Sequence, residues 1–422
     1  MKTIYVDNYK GFKNTFLPIL DINFFVGENS TGKTSILKLI NLIRDPSFTL
    51  NPTFNIENIE LGYFNEIINQ YSKNKIFSIG IEYSERVKTK PSTRFILMRF
   101  KNERNTPKLF EYREYFGKKE ILITLEKNGY SVQERNLSIH NFKAWIEGEE
   151  EFNTPKIKIP YPNKNKNIRF IHIRSKALET LIKEKDEEEI YDSLAHSFRY
   201  YQTVWLAPMR AKPKRTYEAF SSNFSSEGDH MPKILREILK NKKKNANIIS
   251  SLINFGKASG LFDEINIVDY GRTNGAPFAI NILYNSLPIK ITNVGYGVSQ
   301  IMPIIIEMLL EKSHLFSIQQ PEVHLHPRAQ AAFGEFIYTN HTEFKNKFII
   351  ETHSDFTINR FRYCLYENKN EKIKSQVVFF ERCDTGTKLT FLNLNNKGQY
   401  PEDIPDSFGS FFIDEELKML EF

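Results

Sequence analysis

Gly27-Glu28-Asn29-Ser30-Thr31-Gly32-Lys33-Thr34 sets two glycines, a lysine and a threonine at the spacing G-x-x-x-x-G-K-T, with Ser35 directly after. The glycines let the backbone turn so that successive N–H groups face one point and bind anionic oxygens there. Lys33 brings a positive charge to that point, and Thr34 brings a hydroxyl suited to a hard divalent cation. A nucleoside triphosphate with Mg²⁺ is the ligand that uses all three. The flanks agree with this reading. An apolar run, Ile22 to Val26, precedes the motif, and an amphipathic run with Ile36, Leu37, Leu39, Ile40 and Leu42 follows it. A chance match in a loop lacks that strand–turn–helix context. The candidate ligand residues are Gly27, Asn29, Ser30, Thr31, Gly32, Lys33, Thr34 and Ser35.

A second cluster lies between residues 291 and 360. Asn293-Val294-Gly295-Tyr296-Gly297-Val298-Ser299-Gln300 precedes a helical run, Ile301 to Leu310, and glycines beside a serine at a helix start make an anion-binding surface. Ser299 and Gln300 are its candidates. His314 to Ile318 reads as a strand running into Gln319-Gln320-Pro321-Glu322 and then Val323-His324-Leu325-His326-Pro327. Phe348 to Ile350 reads as a third strand, running into Glu351-Thr352-His353-Ser354-Asp355. Open parallel sheets bind ligands beyond the carboxyl ends of their strands. The three polar strand ends, after Val26, Ile318 and Ile350, therefore predict an α/β fold with its site there. His324, His326 and His353 have a spacing open to a metal reading, but they are more simply parts of two separate strand-end patterns.

The rest of the chain must position these residues. It has 422 residues, 40% hydrophobic and 14% aromatic, enough for two or three domain-sized units or one large domain with an insertion. No apolar run of about 18 residues and no signal-peptide core is present, so a cytoplasmic protein without a membrane partner is expected. Cys364 and Cys383 alone make no disulfide framework, which suits a reducing compartment. The net charge of +7 permits nucleic-acid contact without requiring it, and Lys240-Asn241-Lys242-Lys243-Lys244 is more simply a solvated helix end than a phosphate-backbone contact. No heptad pattern predicts a long coiled coil.

Between about Ile76 and Ile173 the chain reads as strands, such as Ile76 to Ile81, Arg94 to Phe100 and Ile121 to Leu125, separated by turns such as Lys127-Asn128-Gly129. Residues 176–199 read as helix, and Thr203 to Arg210 as a buried strand ending in Pro and Arg. The expected division is residues 1–75 with the phosphate loop, 76–200 as a β-rich insertion with a helical segment, and 201–422 with the remaining motifs. Tyr9 and Phe12, just before the phosphate loop, suit either stacking on a nucleotide base or core packing.

On these motifs the chain resembles ABC-type, SMC-like AAA ATPases, the group that includes the OLD-family and Septu ATPases of bacterial anti-phage defence. Gly27 to Thr34 matches Walker A, Gly295 to Gln300 resembles the signature motif, Ile318 to Pro327 the Walker B and D-loop segment, and Glu351 to Ser354 the switch-histidine strand. Val204 to Arg210 and the run from Gly398 to Phe412 also resemble stretches of that group. The resemblance implies an ABC-type P-loop ATPase head with a largely antiparallel β insertion. It implies ATP and Mg²⁺ as cofactors, with Thr34 and Gln319 toward the metal and Gln319, Gln320, Glu322 and His353 at the hydrolytic positions. It also implies a head-to-tail dimer or higher oligomer in which Ser299 reaches the partner's γ-phosphate, and a separately encoded effector, a nuclease by preference. Gln319 and Gln320 stand where ABC ATPases at large carry acids. Glutamine can hydrogen-bond a water but cannot accept its proton, so slow hydrolysis is expected, or a base elsewhere, with Glu322 and Asp355 nearest in sequence. The stretch after Asp355 is short for a further nuclease domain, since domains run to about 100–150 residues. A DNA-repair or recombination ATPase that binds DNA directly is the alternative reading.

Overall fold

Strands whose two faces carry different buried chemistry build the larger sheet. The computed structural model describes residues 1–57, 59–87, 90–139, 141–148, 152–161, 168–181, 203–218, 224–368 and 372–412. The chain forms two compact units. One comprises Met1–Ile19, Glu28–Tyr200 and Phe380–Leu389; the other comprises Leu20–Gly27, Tyr201–Phe379 and Thr390–Phe422. Among the described residues no helix is long and apolar enough to cross a membrane.

In the first unit eight strands run in the order Ile157–Pro160, Gly129–Asn136, Lys119–Leu125, Thr106–Phe116, Lys90–Glu103, Ile76–Val87, Thr3–Asp7 and Thr15–Pro18. Every neighbouring pair is antiparallel. The sheet of the insertion is thus continuous with the N-terminal hairpin. Side chains alternate between faces along each strand. One face carries Phe95, Leu97 and Tyr115, packed with Phe142 and Trp145 of the short helix Phe142–Glu147. Trp145 Nε1 donates to Glu120 at 3.0 Å, and Arg113 and Arg135 pair with the same carboxylate at 2.6 Å. The other face carries Tyr112 and Glu114 beneath the helix Phe170–Leu181. Arg174 of that helix grips Glu114 through Nε at 2.8 Å and Nη2 at 2.7 Å, Tyr112 donates to it at 2.9 Å, and Arg94 lies 3.4 Å away.

The second unit holds the sheet Thr203–Leu206, Leu315–Gln319, Lys347–Glu351, Ile22–Gly27, Ser375–Cys383 and Gly386–Leu394, in that spatial order, with the tip of the last hairpin counted in the first unit. The first three pairings are parallel. Parallel strands are covered on both faces and so read as continuous apolar runs; Ile22–Gly27 and Leu315–Gln319 are buried along their whole length. The helix Tyr296–Leu310 is buried from Gly297 to Leu309, and its isoleucines join Phe316, Phe333 and Phe348 in one core.

Three sequence expectations change. The helix expected from residue 176 begins at Phe170, and residues 182–199 of that expectation lie outside the described residues. The strand expected from Thr203 to Arg210 is only Thr203–Leu206, because Pro208 has no N–H to give a ladder. The helix expected from Ile301 begins at Tyr296. Gly297 serves close packing rather than a loop, since a Cβ there would lie 2.6 Å from the His324 carbonyl oxygen.

Burial pushes the Glu114 carboxyl up, but Arg174 and Arg94 outweigh it and hold it at about 2. A depressed carboxyl contributes stability that is present above its unfolded value of 4.5 and is lost as pH falls toward about 2. Glu114→Gln is expected to destabilise the protein by about 3–5 kcal/mol near neutral pH, because it strands two buried guanidiniums. Thermal unfolding at pH 7 and pH 3 checks this: the gap between wild type and variant is expected to narrow in acid, and a gap that stays constant counts against the assignment.

Candidate nucleotide site

The phosphate loop continues from the strand Ile22–Gly27 into the helix Lys33–Arg44. Positive φ angles at Gly27 (135°), Ser30 (64°) and Gly32 (92°) bend the backbone into a nest. Glycine is needed at position 32 for a second reason, because a Cβ there would lie 2.8 Å from the Phe12 ring. Helix N-termini leave their first N–H groups without intrahelical acceptors, and Lys33, Thr34 and Ser35 occupy that first turn. Within the first unit, Thr31 Oγ1 donates to the Glu28 carbonyl at 2.8 Å, and Thr387 Oγ1 donates to the Thr31 carbonyl at 3.0 Å. Asn29 and Ser30 are exposed at the loop's crest, and Thr34 is exposed one turn below. Lys33 is only 3% exposed, and its Nζ donates to the Glu28 carbonyl at 2.6 Å, across the hollow of the loop. The sequence alone suggests a solvent-facing lysine; the structure folds it over the loop. Nest, ammonium and exposed hydroxyl fit a triphosphate with Mg²⁺. Tyr9 and Phe12 are fully buried, Phe12 edge-on to Phe380 and Tyr9 donating to the Ser35 carbonyl at 3.2 Å, so both are core residues that support the loop.

The remaining candidates gather at the strand ends of the second unit. Register sets Gln319 opposite Glu351, and Glu351 opposite Phe25. Gln319 Nε2 donates to Glu351 Oε2 at 3.0 Å, and both side chains are buried. Gln320 takes a left-handed φ of 42° while its N–H donates to the Glu351 carbonyl at 2.8 Å. Such a conformation costs a non-glycine residue about 1–3 kcal/mol, so it persists only where its surroundings impose it. Glu322 accepts from the Thr352 hydroxyl at 2.8 Å and from the His353 N–H at 2.7 Å, which ties the Walker B-like segment to the histidine strand. Burial pushes the Glu322 carboxyl up, against those two hydrogen bonds. The histidines part company: His353 faces Phe411, His324 meets Tyr296 edge-on, and His326 accepts from the Ala329 N–H at a helix start. Among the described residues no group of three His, Cys, Asp or Glu side chains is placed to hold a metal.

Ser299 and Gln300 are both buried in the first turns of the helix Tyr296–Leu310. Ser299 Oγ donates to the Tyr296 carbonyl at 2.8 Å. Gln300 brackets the backbone of Arg210, accepting from its N–H at 3.3 Å and donating to its carbonyl at 3.4 Å. Arg210 itself donates from Nη2 to the Gln319 carbonyl at 2.9 Å. It is 5% exposed, and its Nε and Nη1 have no hydrogen-bond partner among the described residues. Each unmade buried donor costs about 1–3 kcal/mol. Burial pulls Arg210 down to about 10, against the opposing pull of the Glu322 charge. Arg210 and Glu351 are the two residues here that sequence reasoning did not single out for a role. The sequence signals for Arg210 were its place at the end of an apolar run and the resemblance of Val204 to Arg210 to a stretch of the ATPase group.

A phosphate loop that continues a strand of a parallel sheet into a helix through a nest is that of an α/β P-loop ATPase head. The sequence profile of the AAA ATPase domain family matches residues 1–358, and the chain belongs to that family. No curated protein matches it in sequence. Among solved structures it is similar to an SMC head bound to the C-winged helix domain of ScpA, with 13% identity over 93% of this chain and 98% of that one and a TM-score of 0.42. It is also similar to the SMC head domain from Thermotoga maritima, with 13% identity over the same shares and a TM-score of 0.41.

Lys33→Ala is expected to abolish nucleotide binding, since it removes the charge folded over the loop. Titration with a fluorescent ATP analogue reads this directly, with circular dichroism as the control for fold. Analogue binding that survives the substitution removes the loop from the site.

Proposed function

We propose that this AAA ATPase is a slow, ATP-driven switch of the cytoplasm, related in kind to the OLD-family and Septu ATPases. ATP binds with its phosphates in the loop Gly27 to Ser35, Lys33 on the β- and γ-phosphates and Thr34 toward Mg²⁺. Two copies close head to tail, each offering Ser299 to the other's γ-phosphate, while Gln300 keeps the start of its helix in place. His353 reports the state of that phosphate. The closed form regulates a separately encoded effector, a nuclease, in anti-phage defence. In functional terms residues 1–75 and 201–422 supply the ATPase, and 76–200 supply an outer surface for the effector.

One observation carries the slow-switch reading. Gln319 and Gln320 occupy the hydrolytic positions, and the Gln319 amide is bonded to a buried carboxylate, Glu351, at 3.0 Å. Neither glutamine can take a proton from water, and a general base contributes about 10²–10⁴-fold in rate. Its loss turns a cycling enzyme into one that dwells in its ATP state, which suits control of a partner.

Gln320→Glu is expected to raise steady-state phosphate release by ten-fold or more and to shorten the life of the associated form. Rapid release by the unmodified protein, or plasmid cleavage by it alone, defeats the slow-switch reading. Association has its own check. ATP with Mg²⁺ is expected to raise the mass seen by light scattering, and Ser299→Arg to abolish that rise. A variant that associates as the wild type does excludes the sandwich.

A further inference from the structure

In the second unit a buried guanidinium, Arg210, feels the charge of a half-buried carboxylate, Glu322, yet no ion pair joins them. Arg210 spends one guanidinium nitrogen on the Gln319 carbonyl and leaves Nε and Nη1 without partners among the described residues. Its backbone is held at both polar atoms by Gln300, so the guanidinium is placed rather than adrift. Glu322 follows Gln319 by three residues. Its Oε2 accepts from the Thr352 hydroxyl and its Oε1 from the His353 N–H, and every donor it has is a neutral group. An arginine with two unused donors, within electrostatic reach of a carboxylate held only by neutral donors, is an ion pair not yet made.

We infer that Arg210 is the second seat of the Glu322 carboxylate: in one state Glu322 is held by Thr352 and His353, and in the other it moves onto the open guanidinium nitrogens of Arg210. Leaving the first seat releases the His353 N–H and so frees the histidine strand end. Taking the second seat loads Arg210, whose backbone is bonded to Gln300 on the helix Tyr296–Leu310. Arg210 is then a positioning residue that links the serine-bearing helix start to the histidine. The proposed ATP switch is assumed only for what drives the exchange; the two seats exist without nucleotide.

Hydrogen exchange at the His353 amide of the full-length protein, without nucleotide, tests the seats. Arg210→Gln removes the second seat and is expected to slow that exchange by about tenfold, because protection follows the free energy of local opening. Glu322→Gln, which weakens the acceptor, is expected to speed it. A merely structural Arg210 predicts the reverse sign for Arg210→Gln, since a lost buried contact loosens its surroundings. Equal or faster exchange in Arg210→Gln, with the Ile349 and Ile350 amides unchanged, overturns the inference. If that variant does not fold, Arg210→Lys keeps the charge without the planar fork and is expected to slow exchange by a smaller factor; unchanged or faster exchange there overturns it equally. Failure of a fluorescent ATP analogue to bind wild type would defeat the ATP reading and leave this comparison standing.

Discussion

The parallel register between Leu315–Gln319 and Lys347–Glu351 is the constraint from which the strand-end geometry follows. It sets Gln319 level with Glu351, so an amide meets a carboxylate across one strand spacing. The next bonds extend the same alignment: the Gln320 N–H reaches the Glu351 carbonyl, and the Thr352 N–H reaches the Phe25 carbonyl. A slip of one residue would turn every one of these side chains to the opposite face. Burial of both faces forbids the slip, and Asn23 reinforces it. Buried in the phosphate-loop strand, Asn23 donates to the Phe348 carbonyl at 3.0 Å and accepts from Gln376 Nε2 at 2.8 Å, joining three strands through one satisfied amide.

Charge is held differently in the antiparallel sheet and at the strand ends of the second unit. In the antiparallel sheet Glu114 and Glu120 each meet two arginines, and aromatic donors complete the sets. Such charged networks pin a helix to a sheet, and they move little because breaking one partner strands another. At the strand ends of the second unit, two Arg210 donors have no partner among the described residues, and Glu322 is held only by neutral donors. Charges left uncompensated cluster where a protein changes state or does chemistry.

How much of this was legible beforehand depended on distance along the chain. The phosphate loop was fully legible, because glycines, lysine and threonine act within eight consecutive residues and the flanking strand and helix announce themselves by apolar pattern. The strand ends after Ile318 and Ile350 were legible for the same reason, as were the three insertion strands named from sequence, Ile76 to Ile81, Arg94 to Phe100 and Ile121 to Leu125. Helix boundaries were less so. Gly297 looked like a loop residue, whereas its role is to let the helix approach the His324 carbonyl, a contact that local pattern does not encode.

Local spacing by itself therefore determined the class of the protein and marked its phosphate-loop motif and the strand-end glutamines as candidates. Only the tertiary structure decided that Phe12 is wedged under Gly32, that Lys33 folds onto the Glu28 carbonyl, and that the insertion's sheet is continuous with the N-terminal hairpin. It alone revealed Arg210, whose partners Gln300 and Gln319 lie 90 and 109 residues away in sequence. The physical reason is common to these cases. Hydrophobic periodicity records which face of an element is buried, but burial is non-directional, and the partner that a buried polar group finds there is settled only when distant segments pack.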